Sequence, residues 1–349
     1  MAAAPTIAAR VQLLGHANGF DGLRFLLALG IVVFHSHTLA TAGANLFWPI
    51  DTVARLILPA FFVLSGYLVM SSLSRCGTVR EFLLLRLLRI LPALTLVTLA
   101  SVFLIGPLFT TMNLRDYFSN PAVPAYLRNI LMWPHFSLPG LFEDNPRAGI
   151  VNGSLWTIQL EMICYGILGS AALLSRGRTL NLVLMAWGAL LLFPRIPFAG
   201  LALAWLPAKD LALGFVAGAL LYRFSGSVIL NPLAGFASLL LAFWLVRSGQ
   251  GALAVLPLAY GVIWLAVRRI PSSLTCADYS YGLYLAAYPL QQAVIFLLPG
   301  IAWWGVMAVV LPLALLSAML LWHGIERPLL ARKHEIIARM TGATAPVRV

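Results

Sequence analysis

Charge is scarce in this chain, and negative charge is scarcest. Only 10% of its 349 residues are charged, and 11 acidic residues stand against 23 basic ones. With 61% hydrophobic residues and a mean hydropathy of +0.92, this excludes a soluble globular domain and leaves a helical integral membrane protein. Cysteine is nearly absent as well. Cys76, Cys164 and Cys276 are odd in number, scattered in or beside apolar runs, and lack metal-ligand spacing. That argues against a disulfide framework and gives no metal site. No internal repeat of the kind common in secondary transporters is visible, and there is no lipidation motif. Apolar runs use up nearly the whole length, so no separate soluble domain is expected.

The net charge of +12, with a pI of about 10.3, would suggest nucleic acid in a soluble chain. Here the basic residues punctuate apolar runs, which the positive-inside rule explains, and no nucleic-acid partner is expected. Ten runs long enough to count as spans lie near 22–40, 56–72, 83–106, 155–174, 180–194, 207–222, 229–246, 252–267, 279–298 and 302–322. Pro194, Pro197 and Pro207 break the pattern between the fifth and sixth. Ten spans place both termini on one side. With the N-terminus inside, 16 basic residues fall inside and 7 outside, so both termini are predicted cytoplasmic.

The predicted fold is therefore an all-α integral membrane bundle of about ten transmembrane helices. Its parts are a cytoplasmic N-terminal segment over 1–20, a membrane domain over 21–322 and a cytoplasmic tail over 323–349. Residues 10–44 have the outline of a signal peptide, but His35, Ser36 and His37 interrupt its apolar core and more spans follow, so cleavage is not expected. The one long loop, 107–153, falls outside. Its prolines and its Trp133-Pro134-His135-Phe136 group favour a folded cap on the membrane interface over a linker.

Ionisable side chains at membrane depth are costly and mark pathways or sites. The first span carries two, Arg24 and His35. Eleven residues apart, they are about three turns plus ~20° apart on a helix, so they share a face, roughly 16 Å apart along the axis. His37, two residues on along the helix, points about 160° away from His35, which speaks against a two-His metal site. The fourth span opens Asn152-Gly153-Ser154-Leu155-Trp156 and continues to Glu161 and Tyr165. Helical spacing puts Ser154, Glu161 and Tyr165 on one face. Glu161 needs a partner or a proton; His35 is the natural candidate, and a purely structural pair is the alternative.

Arg86 and Arg89 are i, i+3 neighbours at the inner end of the third span. Topological anchoring explains them, and so does phosphate binding, for which guanidinium groups suit. Ser65-Gly66 in the second span reads equally as a close helix contact or as lining of a passage. Tyr279, Tyr281 and Tyr284 fit an aromatic belt, and Glu326 is placed to pair with inner-face arginines. His16, His135, His323 and His334 read as ordinary interfacial or loop residues.

Taken in order, these runs resemble the acyltransferase-3 family of bacterial membrane acyltransferases. The resemblance rests on Gly19 to Arg24 with His35, on Phe61 to Tyr67, on Arg86 to Pro92, and on Asn152 to Trp156 with Glu161 and Tyr165. Ser280 to Leu285 and Ile325 to Pro328 complete it, over about residues 18–330. Cys164 stands where a Phe is usual, Thr157 where a Ser is usual, and Ala286-Ala287 where a His is common.

The resemblance implies transfer of an acyl group, usually acetyl, from cytoplasmic acyl-CoA to a hydroxyl of an extracytoplasmic or lipid-linked glycan, in the bacterial inner membrane. No bound cofactor and no metal are implied. Arg86, Arg89 and Arg24 would hold the anionic acyl-CoA. His35 would act as general base or as acyl carrier, with Glu161 orienting it or stabilising its cation. Ser65, Ser154, Trp156, Tyr165, Tyr281 and Glu326 would support the site. The rival class is a multi-span secondary transporter or flippase for an anionic or sugar substrate, which also carries intramembrane His, Glu and Arg. The acceptor, the acyl length and the oligomeric state are not written in the sequence.

Overall fold

The computed structural model describes residues 4–15, 18–44, 46–175, 177–192, 206–269 and 277–341. The break around Pro194 and Pro197, together with His16, Cys276 and the His334 and Pro207 side chains, lies outside that description. The described residues are helical, with three isolated β-bridges and no strand. The helices are α1 (Ile7–Leu14), α2 (Phe20–Ala40), α3 (Trp48–Arg75), α4 (Val79–Ala100), α5 (Gly106–Phe109), α6 (Leu114–Ser119), α7 (Ala122–Leu127) and α8 (Trp156–Leu174). After them come α9 (Arg178–Leu192), α10 (Leu206–Arg223), α11 (Pro232–Arg247), α12 (Gly251–Ala266), α13 (Ser280–Leu297), α14 (Trp303–Leu321), α15 (Arg327–Ala331) and α16 (Lys333–Thr341).

Each of the ten apolar runs coincides with one helix, from α2 to α4 and from α8 to α14. Among the described residues, five helical stretches are long and apolar enough to cross a membrane: Phe20–Ala40, Trp48–Arg75, Val79–Phe109, Gly153–Leu174 and Trp303–Ala331. Helices α9, α11 and α12 are apolar but shorter. The protein is thus all-α and built of membrane-type helices.

Two of the described stretches are π-helical, and proline explains both. Ser101–Ile105 and Trp322–Glu326 are π-helical, closed by Gly106 N–H to Ser101 O and Arg327 N–H to Trp322 O. Pro107 and Pro328 follow. A proline ring clashes with the carbonyl four residues back and offers that carbonyl no N–H, so the turn widens. The second widened turn carries Glu326, which is buried.

The chain forms two compact units. One comprises Met1–Leu27, Phe47–Phe82 and Ile163–Asp278, the other Ala28–Leu46, Leu83–Met162 and Tyr279–Val349. In the first unit, α3 and α10 pack backbone to backbone. A Cβ at Gly66 would collide with the Phe215 carbonyl, one at Gly218 with the Val63 carbonyl, and one at Gly214 would lie 2.9 Å from the Pro59 carbonyl. Gly214 and Gly218 form the small-xxx-small spacing that permits such an approach. Helix α1 is drawn in as well, with Ile7 buried and its N–H donating to Val228 O at 3.0 Å.

In the second unit the loop after α4 is folded. Tyr117, Tyr126, Leu138, Leu141, Phe142 and Val151 form a buried cluster with Val102 and Ala293. Tyr117 OH donates to Val102 O at 2.9 Å, and Asn129 closes a turn through bonds to Tyr126 O and His135 O. Burial pushes the Tyr117 phenol up to about 12 and raises that of Tyr126 as well, so both stay neutral in this cap. The folded-cap expectation is met in that respect.

Candidate functional site

The second unit contains His35, Arg86, Arg89, Ser154, Trp156, Glu161, Tyr281 and Glu326. Helix α13 is the element that organises them. Its polar side chains Tyr281, Tyr284, Tyr288 and Gln291 recur at helical spacing, the last two buried. Tyr281 OH donates to Ile90 O at 3.0 Å. Tyr284 OH donates to Ser154 O at 2.8 Å and lies 2.6 Å from Thr157 Oγ1. Glu161 follows Thr157 by one turn of α8. The tyrosines therefore brace the start of α8 and the middle of α4 from within, and the aromatic-belt reading of Tyr281 and Tyr284 is replaced.

His35 is half-buried on α2 and meets rings on two sides. Tyr288 presents its edge at a centroid distance of 5.2 Å, and Phe34 lies at 5.9 Å. The expected His35–Glu161 pair is not formed: among the described residues the His35 ring has aromatic neighbours but no hydrogen bond or ion pair. The side of the ring that Tyr288 covers is closed to a carboxylate. His37 is buried on another side of α2, against Trp303 at 5.9 Å, so the two histidines have separate surroundings.

The start of α8 also differs from the helical-face expectation. Gly153–Leu155 is a 3-10 turn, so Ser154 does not share the α-helical register of Glu161. Its Oγ turns back to Asn152 Oδ1 at 2.6 Å. Asn152 is fully buried and also donates to Leu285 O at 3.0 Å. Asn152 is thus the N-cap of this turn, its Oδ1 accepting from both the N–H and the hydroxyl of Ser154, and it is also the pin that joins the turn to α13.

Arg89 ion-pairs with Glu326, the pairing expected of Glu326 with an arginine, and its guanidinium lies over the rings of Tyr281 at 5.5 Å and Trp322 at 5.7 Å. Arg86 sits one turn earlier on α4, half-buried. In the first unit, Arg24 Nη1 donates to Asp278 Oδ2 at 2.7 Å, a partner that the sequence reading did not name. Ser65 Oγ lies 3.3 Å from Tyr165 OH, beside the close contact at Gly66; both readings of Ser65-Gly66 keep their support.

Sequence reading missed Asn152 as a pin and missed Tyr288, Gln291 and Gln292 altogether. Two adjacent amides in an apolar run were the available signal, since polar groups at such depth are retained for a reason. Gln292 Nε2 donates to Arg147 O and Ile150 O at 2.8 and 2.6 Å, and its Oε1 accepts from Asn145 at 3.0 Å, tying the cap to α13. Among the described residues no three His, Cys, Asp or Glu side chains come together as a metal would require.

Buried amides, phenols, an ion pair and an imidazole are gathered in one unit of an all-α protein with membrane-length helices. Residues 17–323 match the acyltransferase-3 family, described as an acyltransferase domain, and the chain belongs to that family. It is also similar to an O-acetyl transferase of Shigella phage Sf6, at 29% identity over 291 residues, covering 80% of this chain and 86% of that relative. No solved structure matches it. Membership of an acyltransferase family decides against the transporter or flippase class.

Proposed function

We propose that this chain is an O-acyltransferase of the bacterial inner membrane that moves an acyl group, acetyl in the first instance, from cytoplasmic acyl-CoA to a hydroxyl of an extracytoplasmic or lipid-linked glycan. The observation that carries this reading is the family match over 17–323, which encloses Arg24, His35, Arg86, Arg89 and Glu161 together. The name of the phage relative, an O-acetyl transferase, supports oxygen as the atom acylated. In this reading all ten apolar helices cross the membrane and both termini are cytoplasmic.

The chemistry needs a base, because a sugar hydroxyl is a poor nucleophile at neutral pH. The acceptor O–H gives its proton to His35 as its oxygen attacks the thioester carbonyl. The C–S bond then breaks, and the CoA thiolate leaves and takes up a proton. His35 suits the role because its ring nitrogens have no hydrogen-bond partner among the described residues. Glu161 lies in the same unit, on the turn of α8 beyond Thr157, and would act on the imidazolium only through the field of its charge, not as a paired carboxylate. Positive charge for the CoA phosphates comes from Arg86 and Arg89. Arg89 acts from within an ion pair, which fixes the guanidinium while neutralising part of its charge.

The test is release of CoA by purified protein given acetyl-CoA, faster when a glycan acceptor is added, with mass spectrometry of envelope glycans from cells with and without the protein. Absence of CoA release together with unchanged glycan acetylation overturns the assignment. A tag at residue 349 that is labelled from outside intact cells overturns the topology alone.

A further inference from the structure

Helix α13 brings two side chains to the turn of α2 that carries His35. Tyr288 sets its ring edge against the imidazole with the two planes at 77°. It is itself buried, and a Cβ at Gly153 would come within 2.7 Å of its hydroxyl, so the ring has little room to swing. One turn further along, Gln291 is fully buried. Its Nε2 donates to Val32 O and to Ser36 Oγ, both at 2.8 Å. Those two residues bracket His35: one lies a turn before it and the other is the next residue.

Ser36 Oγ donates to the same Val32 carbonyl at 2.8 Å. A helical carbonyl that also receives two side-chain donors is drawn from its ladder, and this kind of insertion sets the local direction of a helix. A group kept here for packing alone would be apolar. Burying an amide is costly unless both ends are satisfied, and Gln291 Oε1 has no partner among the described residues.

We propose that Tyr288 and Gln291 are positioning residues for His35, Tyr288 holding the plane of the ring and Gln291 the turn from which it projects. This rests on the reading of His35 as base or acyl carrier. A reacting group must be held to within about half an ångström, and a misplacement of about 1 Å costs on the order of a hundredfold in rate.

The experiment compares purified variants by release of CoA from acetyl-CoA with water as the acceptor, so no glycan need be known. The folded fraction is measured in parallel by thermal unfolding, and His35→Ala is run alongside. Tyr288→Leu and Gln291→Met are expected to lower the maximal rate per folded molecule by roughly ten- to a hundredfold. The half-saturating acetyl-CoA concentration stays within about twofold. Tyr288→Phe keeps the ring edge and is expected to stay within about threefold of the parent rate. Ser36→Ala removes only one of the Gln291 bonds and gives the milder test, with a loss of about three- to tenfold.

Full rates per folded molecule in Tyr288→Leu and Gln291→Met, with His35→Ala inactive, overturn the positioning role and leave the base reading intact. So does a Tyr288→Phe variant as slow as Tyr288→Leu. A His35→Ala protein as active as the parent overturns both, as does a parent that releases no CoA and leaves envelope-glycan acetylation unchanged.

Discussion

The two compact units are held together in different ways. In the first, α3 and α10 meet through glycines, and backbone carbonyls take the space that side chains would fill. In the second, α13 also has a close glycine contact, Gly282 on Ala318 of α14, but it meets α2, α4, the start of α8 and the folded loop through phenols and amides that hydrogen-bond. Glycine contacts give close dispersion packing and leave no functional group behind. Buried polar contacts are costly when incomplete, but when satisfied they fix orientation. A chain that must hold an imidazole in a defined pose has reason to place it in the second kind of surroundings.

The comparison predicts where substitutions strike. The largest effect is expected at His35. His35→Ala should lower acyl transfer by ~10²–10⁴ with insertion and acyl-CoA binding retained, as measured by CoA release and by donor binding on the same preparation. Glu161→Gln should fall between that variant and the parent. His37→Ala is the internal control. It should keep transfer, though its burial against Trp303 now adds a loss of stability. Near-normal transfer by His35→Ala, with transfer lost in His37→Ala, would falsify the assignment.

Next comes Glu326. Glu326→Ala breaks the buried Arg89–Glu326 pair, which should cost about 3–5 kcal/mol of stability. Replacing both partners by apolar residues, Arg89→Met with Glu326→Leu, should cost less than the single change. Thermal unfolding of the three proteins decides it. A double variant no better than Glu326→Ala would show that the rings of Tyr281 and Trp322 around Arg89, rather than the ion pair, dominate.

Arg86→Ala should weaken acyl-CoA binding by about ten- to a hundredfold, the worth of one charge-assisted contact of ~1.5–3 kcal/mol, in a folded protein. Arg86→Lys should recover part of this, because an ammonium lacks the planar fork. Unchanged affinity in Arg86→Ala would return this residue to a topological anchor.

The smallest effect on chemistry is expected in the glycine-packed unit. Gly218→Ala should lower stability by ~1–3 kcal/mol through overpacking against Val63, while the rate per folded molecule stays near that of the parent. A rate loss larger than the stability loss would mean that the α3–α10 contact takes part in turnover, and the contrast between the units would fail.

Composition and periodicity alone determined that the chain is helical and suited to a membrane, and roughly where each of ten apolar helices begins and ends. Helix formation in an apolar run is local, because every backbone hydrogen bond closes within the segment. Family motifs, including Arg24, His35, Arg86, Arg89 and Glu161, were likewise readable, since they are patterns in the sequence. Partners were not. Nothing near Arg24 in sequence points to Asp278, 254 residues away. Ser154 could not be seen to turn back on Asn152 while the segment was counted as α-helix. Tyr288 and Gln291 lay unremarked in an apolar run, because which face of α13 turns toward α2 depends on how helices distant in sequence pack. The His35–Glu161 pair failed for the same reason: shared depth places two groups at one level, but only side-chain packing decides which ring or carboxylate fills the space beside an imidazole.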